Sequence, residues 1–181
     1  MELFDLYNAG REKTGRTLPR GELPPEGSYY LVVHVCIFNP RGQMLIQERQ
    51  PFKKGWSGFW DVSMGGKAVA GDTSRSAAER ETREELGLSL DLSGVRPSVT
   101  LYLERSIDDF YVLTLPVSLD SLRPQPEEVR SLKWASKEEI LRMIDDGIFI
   151  PYEKSFIEFL FFRKDHRDSH TKSDPTRRAH A

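Results

Sequence analysis

The run from Gly66 to Leu88 constrains this chain more than any other stretch. It carries Glu81, Glu84 and Glu85 at the end of a segment that predicts a helix from about Thr73 to Leu86. A glycine turn at Gly65-Gly66 precedes it. Thr73 or Asp72 is available as an N-cap, and Gly87 stands where a C-cap takes a left-handed residue. At about 100° of rotation per residue the three glutamates span an arc of roughly 100°, so their side chains can converge on one cation. Oxygen ligands on a rigid helix beside a flexible loop are what a hard cation and a phosphate chain need. A solvated acidic face is the competing reading. On an exposed helix such like charges cost only about a few tenths of a kcal/mol per pair. In a cleft of effective dielectric about 20, two charges about 6 Å apart repel by roughly 3 kcal/mol, which a divalent cation relieves.

The surroundings of this helix alternate strands and turns. Residues 1 to 28 mix packable side chains (Leu3, Phe4, Leu6, Tyr7) with glycines and prolines, and predict an N-terminal hairpin or arm leading to a Pro24-Pro25 turn. Tyr29 to Phe38 is apolar and β-branched, a buried strand that forms a hairpin with Gln43 to Arg49 through Asn39-Pro-Arg-Gly42. Pro51 to Phe59 is a loop, and Trp60 to Met64 a short strand. Beyond the helix, strands are expected at Val95 to Glu104 and Phe110 to Ser118, joined by an acidic turn at Asp108-Asp109, and again at Val129 to Trp134. Ser136-Lys-Glu-Glu139 has the form of a capping box opening a helix to about Asp146, and Pro151 to Phe162 predicts a last helix. The organisation is then an arm (1–28), one domain (29–163) and a charged, disordered tail (164–181).

Composition narrows the class. At 181 residues the chain suits a single domain with a substantial core. Cys36 is the sole cysteine, which excludes an intrachain disulfide, suits a reducing cytoplasm, and within an apolar strand reads as an inert thiol. A net charge of −2 argues against an extended nucleic-acid surface, and no apolar run is long enough for a membrane span.

Gly66, Arg80, Glu81, Glu84, Glu85, Gly87 and Leu88 stand at the spacings of the Nudix box, G-x5-E-x7-R-E-U-x-E-E-x-G-U, which the segment resembles. The resemblance extends over the flanking strands to about Trp134. It implies an α/β fold, the α/β/α sandwich with a mixed β-sheet, and a hydrolase that cleaves diphosphate linkages in a nucleoside diphosphate derivative or a related small organic diphosphate. Carried over position by position, it makes Glu81, Glu84 and Glu85 ligands of Mg²⁺ (Mn²⁺ as a substitute), with the Gly66 carbonyl beside them. Glu81 is also the candidate to orient or deprotonate the attacking water, and Arg80 supports Glu84 from one turn away. Two positions depart from the pattern. Asp72 replaces its glutamate, and Thr82 replaces an aliphatic residue under the helix.

On the substrate side, Arg49, Lys53 and Lys67 are the expected phosphate contacts, and Trp56 is placed to stack on a base. His34 reads as a hydrogen-bonded core histidine, and Glu104, Asp108, Asp109, Glu127 and Glu128 all lie in or near loops where some members of the family recruit an extra acid. A homodimer is compatible with this reading. The N-terminal arm and the hairpin also resemble the isopentenyl-diphosphate isomerase branch, which needs a cysteine and a histidine just before the box. Aligned on Trp60, this chain has Gly65 and Lys67 there. A non-catalytic ligand-binding module is the remaining alternative, against which the retained glutamates speak.

Overall fold

A computed structural model describes residues 2–166. Of the charged tail expected over 164–181, residues 167–181 lie outside the described residues. The order of elements is β1 (Leu3–Tyr7), β2 (Lys13–Pro19), β3 (Tyr30–Phe38), β4 (Met44–Arg49), β5 (Trp60–Asp61), β6 (Met64–Lys67), α1 (Ser74–Leu86), β7 (Val99–Tyr102), β8 (Ser106–Thr114), β9 (Val129–Ala135), α2 (Lys137–Asp145) and α3 (Lys154–Arg163).

Strands β3 to β9 form one seven-stranded sheet, and β1 and β2 a separate antiparallel hairpin. The centre of the sheet is the parallel pair β3 and β8, in register from Tyr30↔Ser106 to Phe38↔Thr114. The other pairings between these strands are antiparallel, so the sheet is mixed. β3 is shared along its length: β6 pairs with its first half and β4 meets it only near Phe38.

Alternation along β3 sends its side chains to two different layers. Leu31, Val33, Val35 and Ile37 pack with Ala77, Ala78 and Leu86 of α1. Cys36 and Phe38 pack with Ile140 and Met143 of α2 and with Ile157, Leu160 and Phe161 of α3. The sheet is therefore covered on both faces, an α/β/α sandwich. Phe149 fills the second layer, while Ile148 and Ile150 take both backbone bonds of Trp60 (2.9 and 2.8 Å).

Five local expectations differ from the structure, the first being the single strand over Trp60 to Met64, which is split into β5 on β4 and β6 on β3. Gly65 and Gly66 belong to β6 rather than to a turn, and the chain turns at Gly71 instead, where φ is +94°. The expected strand from Val95 begins at Val99. Asp108 and Asp109 lie inside β8, almost wholly buried, and the turn falls before Ser106. Carboxylates are depleted in strands, and these two are tolerated because each has dedicated partners. Asp108 binds His34 Nε2 (3.0 Å) and the Ser106 hydroxyl, and Asp109 binds Arg11, Thr100 and Ser74. The capping box of α2 is half formed: Ser136 Oγ accepts from the Glu139 amide, but the Glu139 side chain turns to Lys133.

Candidate active site

The carboxylate helix is held at both ends by its own sequence. Thr73 is the N-cap, its hydroxyl accepting from the Ser76 amide (3.1 Å) while Ser76 Oγ accepts from the Thr73 amide (2.8 Å). Gly87 closes it at φ +65°, and a Cβ there would stand 2.7 Å from the Arg123 Cβ, so both conformation and space require glycine. The segment that follows ties to this end through Arg123 N to Leu86 O (2.8 Å) and Gln125 N to Glu85 O (2.9 Å). Thr82, the unexpected residue under the helix, is fully buried and donates to Ala78 O at 2.7 Å, so its hydroxyl is satisfied.

Arg80 sits among three carboxylates. Its Nη2 donates to Asp72 Oδ2 at 2.8 Å, and its Nη1 to Glu81 Oε1 and Glu84 Oε2, both at 3.1 Å. Burial works against the guanidinium charge, but Asp72 first and then Glu81 and Glu84 hold it more firmly protonated than an ordinary arginine. Asp72 also accepts from Ser76 Oγ (3.1 Å) and the Val69 amide (3.3 Å). The shorter acid is thus an anchor for Arg80 and for the loop before α1.

Glu81 lies against β6. A Cβ on residue 66 would stand 2.5 Å from its Cδ, which explains the glycine as a close approach rather than a turn. Glu85 is buried on the adjoining side and accepts from Gln47 Nε2 of β4 at 3.2 Å. Burial, followed by the charge of Glu81, pushes its carboxyl up to about 8. Burial likewise raises Glu81, against the pull of Arg80. Both carboxyls are thus desolvated side by side, where a second charge is costly.

The other expected residues divide. Arg49 ends β4, close enough to act on the Glu85 charge; its Nη2 donates to Gly55 O (3.4 Å), while its buried Nε has no hydrogen-bond partner. Lys53 pairs with Glu128, which also acts on Glu85. Trp56 stands 49% exposed in the 50–59 loop with a backbone φ of +50°, its ring against Phe59. Lys67 is not brought to the carboxylates. It follows Gly66 in a strand, so its side chain takes the opposite face, and its ammonium lies 4.1 Å from the centre of the Tyr30 ring. Gln47, missed in the sequence, looked like one polar residue of an alternating strand.

Among the described residues no three His, Cys, Asp or Glu side chains are drawn together as a cage. Arg80 takes Glu81 and Glu84, and Gln47 takes Glu85. The donor chemistry nevertheless fits a hard divalent cation: carboxylate oxygens from successive turns of one helix, two of them desolvated, against a strand that glycine keeps bare.

The family model described as the NUDIX domain matches residues 29–168. The chain belongs to the Nudix family. An uncharacterised Nudix hydrolase of Listeria monocytogenes is 48% identical over 152 residues, 84% of this chain and 90% of that protein. An isopentenyl-diphosphate Delta-isomerase of Corynebacterium glutamicum is 31% identical over 127 residues, 63% of this chain and 66% of the relative. The crystal structure of DR0079 from Deinococcus radiodurans superposes with a TM-score of 0.71 at 26% identity, covering 88% of this chain and 97% of that one. As a Nudix hydrolase the chain acts on diphosphate, that is acid anhydride, bonds. Among the described residues no helix is long and apolar enough to cross a membrane.

Proposed function

We propose that this Nudix hydrolase is Mg²⁺-dependent, with Mn²⁺ as a substitute, and cleaves a diphosphate linkage in a nucleoside diphosphate derivative or a related small organic diphosphate. The observation that carries the reading is the pair of desolvated carboxyls, Glu81 on the bare Gly66 backbone and Glu85 against Gln47. Glu81, Glu84, Glu85 and the Gly66 carbonyl would hold the ion. When bound, it neutralises charge on the phosphate oxygens and lowers the pKa of the attacking water. Arg80 donates to Glu81 and Glu84 and keeps both carboxylates oriented beside the position the ion would take. Glu81, whose carboxyl burial raises above the ordinary range, is the proton acceptor suited to water. Arg49, at the end of β4 and near Glu85, is the cation to meet a phosphate oxygen, and Trp56 offers an exposed ring to a base.

Turnover of nucleoside triphosphates, nucleotide sugars, dinucleoside polyphosphates and prenyl diphosphates, each with Mg²⁺ and with Mn²⁺, tests this. Release of a monophosphate or phosphate in at least one class is expected. Silence across the whole panel with both metals rejects the reading. Isomerisation is disfavoured because Gly65 and Lys67 stand where that branch has its cysteine and histidine, and Cys36, the sole cysteine, is fully buried with its thiol pushed up by burial. Glu84→Gln separates an enzyme, which loses turnover, from a metal-free binding module, which keeps its affinity.

A further inference from the structure

The N-terminal hairpin lies outside the residues matched by the family model, yet its contacts run to the two places that position the carboxylate helix. The first is Asp109. This carboxylate is fully buried in β8 and is gripped by both terminal nitrogens of Arg11 at the hairpin tip. Arg11 is held there at φ +63°, a conformation uncommon outside glycine. The remaining Asp109 contacts are Thr100 Oγ1 (2.6 Å) and the hydroxyl of Ser74, the first residue of α1, which also meets the Tyr111 hydroxyl at 2.9 Å. The second place is the loop before the helix. Asp5 accepts from the Gly71 amide (2.9 Å), Lys13 bridges Asp5 (2.7 Å) to the Asp72 carbonyl (2.9 Å), and Ala70 N donates to Leu3 O (2.8 Å). Asp72 is in turn the main partner of Arg80.

We propose that the hairpin is a brace for the active site and that Arg11 is a positioning residue: through Asp109 and Ser74 it sets the first turn of α1, and so the reach of Glu81, the carboxylate farthest from the fixed end. The geometry makes this more than generic packing. The helix is a stiff rod whose far end is fixed at Gly87 beside Arg123, so freeing Ser74 lets it pivot there. Glu81 lies six residues from that pivot, roughly 9 Å along the axis, so it shifts by nearly half as much as the freed end. Sites of this kind tolerate errors of only about 0.5 Å, and Glu81 already sits against the Gly66 backbone with no slack. The bidentate fork on Asp109 is a directional contact that lysine does not reproduce.

The inference rests on the metal-site reading above, and its test separates the two. Ser74→Ala removes one hydroxyl from the relay and leaves the hairpin attached. Arg11→Lys keeps the charge and loses the fork, and Lys154→Met, in an exposed pair with Asp145, is the control. Mn²⁺ affinity by titration calorimetry and amide exchange at Ala77 and Ala78 are measured on each full-length variant, with circular dichroism reporting the fold. Both relay variants are expected to stay folded, to exchange faster at Ala77 and Ala78, and to bind Mn²⁺ at least fivefold more weakly, while the control matches the parent. Faster exchange with unchanged Mn²⁺ affinity would reduce the hairpin to a structural element and overturn the proposal. Unchanged exchange overturns it as well. Absence of Mn²⁺ binding in the parent protein counts instead against the metal reading, and the exchange data still decide whether the brace holds the helix.

Discussion

Glu81 and Gly66 touch so closely that a Cβ on residue 66 would stand 2.5 Å from the Glu81 Cδ and 2.8 Å from its Cγ. The carboxylate is thereby pressed onto the strand backbone, and the glycine is a condition of its position. Gly66→Ala must displace Glu81 at a cost of about 1–3 kcal/mol. Metal-dependent turnover is expected to fall about 10–100-fold, as when a metal ligand is disturbed, with the circular dichroism spectrum unchanged. Full activity in the alanine variant would show that Glu81 has room to spare.

Glu85 links the site to pH. Its carboxyl is raised to about 8 in the fold, against about 4.3 for an unperturbed glutamate. The folded state therefore holds a proton that the unfolded chain has released. This contribution to stability is complete below about pH 4 and is lost as pH rises through about 8. Metal-free protein is expected to melt at a lower temperature at about pH 9 than at about pH 6, and Mg²⁺ to restore more of the loss at the higher pH. Thermal scans at both pH values, with Mg²⁺ and with chelator, check the sign.

Glu85→Gln removes the buried charge and keeps the shape. The metal-free variant is expected to gain about 1–4 kcal/mol at alkaline pH and to lose turnover. Denaturant titration beside a rate measurement reads both, and a variant that is neither steadier nor slower contradicts the assignment.

Arg80→Lys tests the clamp. A single ammonium cannot serve Asp72, Glu81 and Glu84 together. Stability is expected to drop by about 1–3 kcal/mol, and kcat to fall more than KM rises, because the ligands rather than the substrate lose their support.

Asp72→Glu restores the acid of the Nudix pattern, but one extra methylene breaks the short contacts to Ser76 and the Val69 amide. A loss of about 1 kcal/mol with most of the activity retained is expected. Asp72→Ala should cost more, since it also strips Arg80 of its principal partner.

What could be read from the residues was what local chemistry controls. The Thr73 cap, the Gly87 stop and the apolar run of β3 each depend on neighbours a few positions away, so helix and strand fell where expected. Asp108 and Asp109 were misplaced for the same reason. Next to each other in sequence they look like a turn, and only His34 and Arg11, far along the chain, make them strand residues. Lys67 looked like a phosphate contact because it follows Gly66, yet alternation in β6 turns it to Tyr30.

The sequence by itself determined the carboxylate helix, because spacing along one helix already dictates which side chains share a face, and the resemblance of that segment to the Nudix box carried the sandwich and the hydrolase family with it. Only the tertiary structure decided that Gly66 gives way to Glu81, that Gln47 meets Glu85, and that the hairpin reaches Ser74 through Arg11 and Asp109. Those are contacts between segments remote in sequence, and their energies arise from burial and close approach, which no local pattern encodes.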